Sequence, residues 1–432
     1  MKKVLVLGLG TSGMATLRWL LKQGVSAYWA DDAKTPLLLP EPNDPCHQYR
    51  WQEGVFDFDA LIKSPGIPRT HPLVTKAQSL DVPIYSDIEL FVRHGHQPII
   101  AITGSNGKTT VTSLVGEMAQ KSGVQTVVAG NIGLPVLEGI QDGTSLYVLE
   151  LSSYQLEDTP SLSSLAATVL NISDDHLNRY PDRQAYIKAK ANIYQNTQFA
   201  IVNRDDPSCK GMITSGQRLT FGLDEPPAAK DAGLKTIDHA TWLVAQDTPV
   251  LKVSELAMKG RHNIANALAA TMLALCAGID LKAIREVLRT FSGLPHRFAR
   301  IASIHDVDII DDSKGTNVGA TLAALASVEQ PVVLIAGGDG KGQDFSPLVS
   351  TVAKKARAVI LLGKDAKTIF SALMPAHVPL FLAENLKEAV RCAKNIARPG
   401  DVILLSPACA STDMFRNYHE RGELFCRYAL EH

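Results

Sequence analysis

The run Ile99-Ile100-Ala101-Ile102-Thr103-Gly104-Ser105-Asn106-Gly107-Lys108-Thr109-Thr110 restricts what this chain can fold into more than any other segment. It opens on an apolar, β-branched stretch that reads as a buried strand. A glycine-punctuated loop follows, and Thr109 begins an amphipathic stretch to Lys121 that predicts a helix. A strand–loop–helix of this kind aims several backbone N–H groups and the positive end of a helix at one spot, which suits a phosphate. Lys108 adds a point charge for β/γ-phosphates, and the Thr109 hydroxyl can ligate Mg²⁺. The pattern is G-x-x-G-K-T, short of the full phosphate-loop motif because Ile102 stands where its first glycine would be.

The 432 residues are enough for roughly two to four domains with sizeable cores. A composition of 45% hydrophobic and 20% charged residues is ordinary for a soluble globular chain. With a net charge of −1 there is no basic excess to suggest nucleic acid or an anionic membrane. Cys46, Cys209, Cys276, Cys392, Cys409 and Cys426 are scattered without a C-x-x-C pair, which argues against a zinc site or disulfide framework and fits a reducing cytosol. Met1-Lys2-Lys3 before Val4–Leu7 imitates a signal peptide, but the apolar run breaks at Gly8, Gly10 and Gly13 and resumes with helical spacing through Leu21. No apolar stretch approaches membrane-spanning length. A cytoplasmic protein with no membrane or nucleic-acid partner, acting as a monomer, is expected.

Strand–helix alternation divides the chain into three segments, 1–92, 93–293 and 294–432. In the first, Val4–Leu7 is a strand, Gly8–Gly13 a turn, Met14–Lys22 a helix, Ala27–Ala30 and Ala60–Lys63 strands, and Asp87–Arg93 a short helix. The middle segment starts near Gln97. It adds strands at Leu146–Leu149, Thr168–Ile172 and Phe199–Asn203, a helix at Arg183–Tyr194, and a hairpin over Thr241–Val253 around Asp247-Thr248-Pro249. Helices Asn263–Ala277 and Leu281–Thr290 follow, with Gly278 and Gly293 as stops. The third segment places strands at Val307–Ile310, Val332–Ala336, Val359–Leu362, Pro379–Leu382 and Val402–Leu405 between helices, a mostly parallel, doubly wound α/β pattern.

Gly8-x-Gly10-x-x-Gly13 follows a strand, opens a helix, and is matched by Asp31-Asp32 closing the next strand. That is a dinucleotide fingerprint, but it does not distinguish NAD from another nucleotide diphosphate, and a structural turn is the alternative. Glu150 ends a buried strand beside the phosphate loop, where a carboxylate suits Mg²⁺; a solvated strand end is the alternative. His176 falls just after another strand, and Lys190 alone reads as surface charge. Asn263 and Asn266 sit one turn apart at a helix start. The loops Asp311–Asn317, Gly337–Gly342 and Ser406–Ser411 all fall at carboxyl ends of strands, where open α/β sheets bind ligands.

Taken together, Gly104–Thr109, Gly130-Asn131-Ile132-Gly133-Leu134-Pro135, Glu150-Leu151-Ser152-Ser153, Asp175-His176, Leu294-Pro295-His296-Arg297-Phe298, Asp312-Ser313-Lys314 and Ser406–Ser411 resemble the Mur ligase family across the whole chain. Asp87–Phe91 and Asn417-Tyr418 through Arg421-Gly422 look like its D-glutamate-adding branch. The resemblance implies a Rossmann-like N-terminal domain for the UDP-sugar substrate, a central P-loop-type ATPase domain and a mobile Rossmann-like C-terminal domain for the amino acid. It implies that Thr11, Ser12, Gly13, Asp31 and Ser64 hold uridine and diphosphate rather than NAD, and that Asn131 contacts the UDP-muramoyl substrate. ATP would meet Gly104, Ser105, Asn106, Gly107, Lys108, Thr109, Thr110, Asn263, Asn266, Arg297 and Asp312, and D-glutamate would meet Lys314, Thr316, Lys341, Ser411 and Tyr418. Two Mg²⁺ ions are implied, one on Thr109 and Glu150, the other on His176 and a carbamylated Lys190. Tyr418 stands where the family more usually has Phe, and Ala33 where an Arg is often found.

The activity implied is ATP-dependent joining of D-glutamate to UDP-N-acetylmuramoyl-L-alanine through an acyl phosphate, with Lys108, Glu150, His176 and Lys190 as the catalytic set. A sibling ligase with another acceptor shares the same ATPase core. A nicotinamide-dependent oxidoreductase built on the first segment would leave Lys108, Glu150 and the third segment unexplained.

Overall fold

The computed structural model describes residues 1–33, 36, 38–42, 44–50, 55–95, 98–173 and 179–431. Gln97, the expected start of the middle segment, and Asp175 and His176 lie outside them. Three separate sheets form, each flanked by its own helices.

The first sheet runs Cys46–Gln48, Ser26–Ala30, Lys3–Leu7, Ala60–Lys63, Ile84–Tyr85, with every pair parallel. The outer strands Cys46–Gln48 and Ile84–Tyr85 and the helix Pro72–Ser79 carry too little periodicity to be read from sequence. The first helix spans Thr11–Lys22, so it begins at Thr11 rather than Met14. The cause is Gly13: a Cβ there would lie 1.8 Å from the Gly8 carbonyl oxygen, so the absent side chain lets the first turn of helix press onto the strand end.

The second sheet carries the phosphate loop. Its parallel part is ordered Thr126–Gly130, Leu146–Glu150, Ile99–Thr103, Ser164–Val169, Thr197–Asn203, Gln217–Phe221. Ala232–Ile237, Ala240–Ala245 and Thr248–Lys252 extend it as an antiparallel meander. Its hairpin turns at Gln246 and Asp247, with φ of 50° and 57°, one residue earlier than the sequence suggests. Two successive left-handed residues match the twist of the flanking strands. The strand expected at Thr168–Ile172 ends at Val169. Beyond it the backbone serves the phosphate loop instead of a ladder: Asn171 O accepts from Ser105 N at 2.9 Å, and Ile172 N donates to Asp206 at 2.7 Å. The helix Arg183–Ala191 tightens into a 3₁₀ turn over Asn192–Tyr194. Helices Lys108–Lys121, Arg261–Cys276 and Leu281–Thr290 bury an apolar face built on Leu114, Met118, Leu268 and Met272. Gly278 follows the second of these at φ +70°, whereas Gly293 lies beyond the third, in the connection to the last sheet, at φ +108°.

The third sheet is ordered Ala299–Ile304, Val307–Asp311, Val402–Leu405, Val332–Gly337, Ala356–Leu362, Leu380–Leu382. All pairs are parallel except the first. Ala299–Ile304 is an additional antiparallel strand, half-exposed along its length and therefore faint in the sequence. Val307–Asp311, Val402–Leu405 and Val332–Gly337 are adjacent and parallel, so the polar loops after them open at one edge.

Gly13→Ala should therefore destabilise the chain by about 3 kcal/mol or more, because the clash is with backbone that cannot rotate away. Gly10→Ala, where nothing lies within 4 Å of the added Cβ, should cost no more than about 1 kcal/mol. Urea unfolding of the two variants makes the comparison, and equal midpoints would refute the close-packing account.

Candidate active site

The phosphate loop is shaped by strand-end carbonyls and a neighbouring asparagine. Gly104 and Gly107 take φ of +153° and +85°, and a Cβ on Gly107 would come 2.5 Å from Asn266 Oδ1. Asn106 N donates to Asn171 Oδ1 at 2.8 Å, and Asn171 Nδ2 returns a bond to Asn106 O at 3.0 Å. Ser105 Oγ donates to Ser173 O at 3.0 Å and lies 3.0 Å from Tyr186 Oη. Lys108 Nζ donates to Gly104 O at 2.8 Å and Ser105 O at 3.0 Å. The buried Lys190 Nζ reaches the same Gly104 O at 3.0 Å and Thr103 Oγ1 at 3.3 Å, and lies 4.8 Å from the Tyr186 ring. Two ammonium groups thus converge on one carbonyl.

Glu150 closes the adjacent strand and is buried at 2% exposure. Asn131 Nδ2 donates to its Oε1 at 3.1 Å, while its Oε2 is buried with no hydrogen-bond donor. A buried carboxylate oxygen without a donor is the kind of ligand a hard divalent cation takes. Thr109 Oγ1 accepts from Arg297 Nη2 at 2.5 Å. Glu150 and Thr109 therefore fit a Mg²⁺ ion by their chemistry.

Loops of the third sheet meet this loop directly. Asn106 and Asn317 exchange amide hydrogen bonds of 3.0 and 3.3 Å, and His262 Nδ1 lies 2.9 Å from Ser327 Oγ. Asn106, Gly107 and Thr110 face Asn263 and Asn266 across a cleft of ≈ 880 Å³ that Arg297, Asp312 and Lys314 close from the other side. Ser406 Oγ donates to Asp312 Oδ2 at 2.7 Å and Phe298 N to its Oδ1 at 3.2 Å. Burial nevertheless pushes the Asp312 carboxyl up to about 7, and Asp311 adds to the effect. Burial, then the nearby Arg297 and Lys108 charges, lowers the Lys314 amine to about 8. Lys314 Nζ stands 3.9 Å from the centre of the Tyr418 ring, a cation–π contact. Burial alone brings His262 down to about 4, so its ring is neutral at pH 7.

Of the expected amino-acid residues, Lys314, Thr316, Lys341 and Ser411 lie on the three loops at that edge, and Tyr418 opens the final helix. Thr316 N donates to Lys314 O at 2.8 Å, Asp339 and Ala410 exchange backbone bonds of 3.0 and 2.9 Å, and Ser411 is buried next to them. Lys341 takes a left-handed φ of 52°, with its N–H on Asp339 Oδ1 at 3.0 Å. In the first unit, Thr11 and Ser12 open the helix that Gly13 allows to approach Gly8. Asp31 does not project freely: its oxygens accept from Leu9 N at 2.6 Å and Ala33 N at 2.8 Å, so it shapes the loop it belongs to. Ser64 Oγ donates to Gly8 O at 2.7 Å.

Sequence reasoning gave no role to Arg421 or Asn171. Arg421 is buried at 2% exposure and donates to Ser313 Oγ, Ser313 O and Cys409 O, joining two loops of the third sheet. An arginine inside an otherwise amphipathic final helix was the signal available. Asn171 lay inside a run read as strand, which concealed it. His296 Nδ1, 2.6 Å from buried Asp311 Oδ2, fixes the left-handed turn (φ +61°) that presents Arg297.

Because Asp312 is raised from 3.8 to about 7, its folded form binds more protons than the unfolded chain between those values. Its contribution to stability is complete below about pH 4 and is lost as pH rises through 7. Asp312→Asn should track the unsubstituted protein at pH 4 and become progressively more stable than it up to pH 7, with a constant gap above. Chemical denaturation across pH tests this; a gap that ignores pH would count against the raised carboxyl.

Comparison with known proteins places this architecture. Residues 2–86, 102–274 and 296–409 match, in order, the MurD-like N-terminal domain, the middle domain and the glutamate ligase domain of Mur ligases. The chain is 49% identical to the UDP-N-acetylmuramoylalanine–D-glutamate ligase of Methylobacillus flagellatus, over 99% of this chain and 96% of that one. It is 47% identical to the enzyme of the same name from Marinobacter nauticus, over 98% and 97%. Among solved structures it is similar in fold to UDP-N-acetylmuramate–alanine ligase of Thermotoga maritima, with TM-score 0.62, 20% identity and 99% of both chains covered. It is also similar to the MurF ligase of Thermotoga maritima in complex with ADP, with TM-score 0.63, 16% identity and 99% and 94% covered. With phosphate-loop sheet, polar third-sheet edge and full-length similarity in agreement, the chain belongs to the Mur ligase family.

Proposed function

We propose that this chain joins D-glutamate to UDP-N-acetylmuramoyl-L-alanine at the cost of ATP, a cytoplasmic step of peptidoglycan precursor synthesis. The observation that supports it most is the shared cleft, in which Asn106, Gly107 and Thr110 of the phosphate loop face Arg297, Asp312 and Lys314 of the third unit, with Glu150 close enough for its charge to act on Arg297 and Lys314, and Lys108 on Lys314. The near-full-length likeness to D-glutamate ligases selects the acceptor. In this reading 1–92 binds the UDP-substrate, 93–293 binds ATP, 294–432 binds D-glutamate, and the chain works as a monomer.

The substrate carboxylate attacks the γ-phosphorus; the bond to ADP breaks and an acyl phosphate forms. The amine of D-glutamate then attacks the acyl carbon, loses a proton, and inorganic phosphate leaves. The first step brings two anions together, so its barrier depends on positive charge and alignment. Lys108 and Arg297 supply fixed charge, and Lys314, with an amine at about 8, is still mostly protonated at pH 7. Backbone N–H groups of 107–110, at the helix start, cradle the phosphates, Gly104, Ser105 and Asn106 shape the loop beneath them, Asn263 and Asn266 border the nucleotide, and Asp312 meets it from the third unit. Thr11, Ser12, Gly13, Asp31, Ser64 and Asn131 hold the UDP-substrate, while Lys314, Thr316, Lys341, Ser411 and Tyr418 hold D-glutamate. Thr109 and Glu150 would hold one Mg²⁺, and His176 with carbamylated Lys190 a second. These ions would neutralise phosphate charge and screen the approaching carboxylate. Carbamylation joins the neutral Lys190 amine to CO₂ with release of a proton, replacing a cation that would repel a metal with an anion.

Phosphate release should require both UDP-N-acetylmuramoyl-L-alanine and D-glutamate, with L-glutamate and L-alanine ineffective. Release with L-alanine instead would assign a sibling activity, and release with no acceptor would sink the reading. Lys108→Ala should lower turnover by about 100-fold or more. Lys190→Ala should be nearly inactive and recover in part with added short carboxylic acids; a folded variant that no such acid rescues would remove the carbamate.

A further inference from the structure

The loop Ser64-Pro65-Gly66-Ile67 belongs to the first sheet, yet the second unit holds its carbonyls. Arg179 Nη1 donates to Gly66 O at 3.1 Å and its Nη2 to Ile67 O at 2.9 Å. The guanidinium also lies 3.8 Å from the centre of the Tyr154 ring. Ile67 O accepts a second cationic donor, Lys63 Nζ at 3.1 Å, and that ammonium pairs with Asp158 at 2.9 Å, both side chains being 3% exposed or less. Arg69 reaches the same Asp158 at 2.7 Å.

From Arg179 the contacts continue in both directions. Tyr154 stacks on Tyr180 with centroids 6.1 Å apart at 22°, Tyr180 tilts on Tyr186 at 5.3 Å, and Tyr186 Oη lies 3.0 Å from Ser105 Oγ in the phosphate loop. On the other side Ser64 Oγ binds Gly8 O, and Ile67 packs where a Gly8 Cβ would sit, 3.1 Å away. A contiguous path therefore joins the glycine loop of the first sheet to the phosphate loop of the second, and Arg179 is where it crosses between them.

We propose that Arg179 is a positioning residue: it clamps the Ser64–Ile67 loop to the second unit, so that a substrate held by the first unit presents its carboxylate in line with the γ-phosphate. This rests on the ligase reading above. The geometry calls for arginine. A planar fork satisfies two successive carbonyls and still offers a face to Tyr154, whereas a lysine offers one point of charge. Arg179 touches neither reacting atom. Its loss would loosen the 64–67 loop, leaving the Lys63 and Arg69 ties to Asp158, while the phosphate loop keeps its bonds to Asn171 and Ser173. The effect therefore falls on the UDP-substrate and leaves ATP binding alone.

The test uses the full chain with Arg179→Met and Arg179→Lys. Steady-state phosphate release gives KM for each substrate, and hydrogen exchange reads the amides of 64–71 and of 99–121. In Arg179→Met, KM for UDP-N-acetylmuramoyl-L-alanine should rise roughly tenfold or more, the scale on which lost alignment acts. KM for ATP should stay within about twofold, exchange should quicken over 64–71 and not over 99–121, and Arg179→Lys should recover part of the loss. Unchanged KM and exchange, or both KM values rising together with a lowered thermal midpoint, would overturn the clamp. Absence of turnover in the unsubstituted protein would overturn the ligase reading itself, a result separable from either.

Discussion

Positive charge gathered in one cleft is the constraint around which the rest of this molecule is arranged. Lys108 and Lys190 donate to the same Gly104 carbonyl, and burial, with Arg297, Lys108 and Lys341 adding to it, pulls Lys314 down to about 8. Against these stand Glu150, with one oxygen buried and undonated, and Asp312, itself raised to about 7. Such a cluster is costly to hold together without anions, because burial penalises each charge and like charges add to the penalty. The fold holds it by recruiting the cations from separate sheets. Lys108 opens a helix after a strand of the second sheet and Lys190 lies within a neighbouring helix, whereas Arg297, Lys314 and Lys341 sit on loops of the third unit, so no single unit bears all of the repulsion.

The strand ends also explain what could be read beforehand. The phosphate loop, Glu150 and the three polar loops of the last sheet were legible because each follows a short, continuous apolar run, and a parallel sheet puts all such ends on one side. Segments that answer to more than one master were misread. Leu170–Ile172 looks like strand but spends its backbone on Thr103, Ser105 and Asp206. Met14 looks like a helix start because nothing in the local pattern shows that Gly13 can lie against Gly8. Ala299–Ile304, half-exposed throughout, gives no clean alternation.

Contacts between units were the least visible from sequence. Asn106 and Asn317 are 211 residues apart, and Thr109 and Arg297 188, so no local spacing could pair them. Asp31 is instructive in a different way. Its place after the second strand was plain, but its two oxygens are taken up by backbone N–H groups of its own neighbourhood, a use that motif spacing does not distinguish from contact with a ligand.

One bond has a kinetic meaning. The Thr109 hydroxyl, which a cation would need, is held by Arg297 from across the cleft. Arg297 and a metal ion would be rivals for a single oxygen, and that oxygen comes free only once the guanidinium withdraws. Capture of a cation there would wait on that withdrawal. The apparent affinity would then be the intrinsic one diluted by the fraction of molecules in which Arg297 has let go.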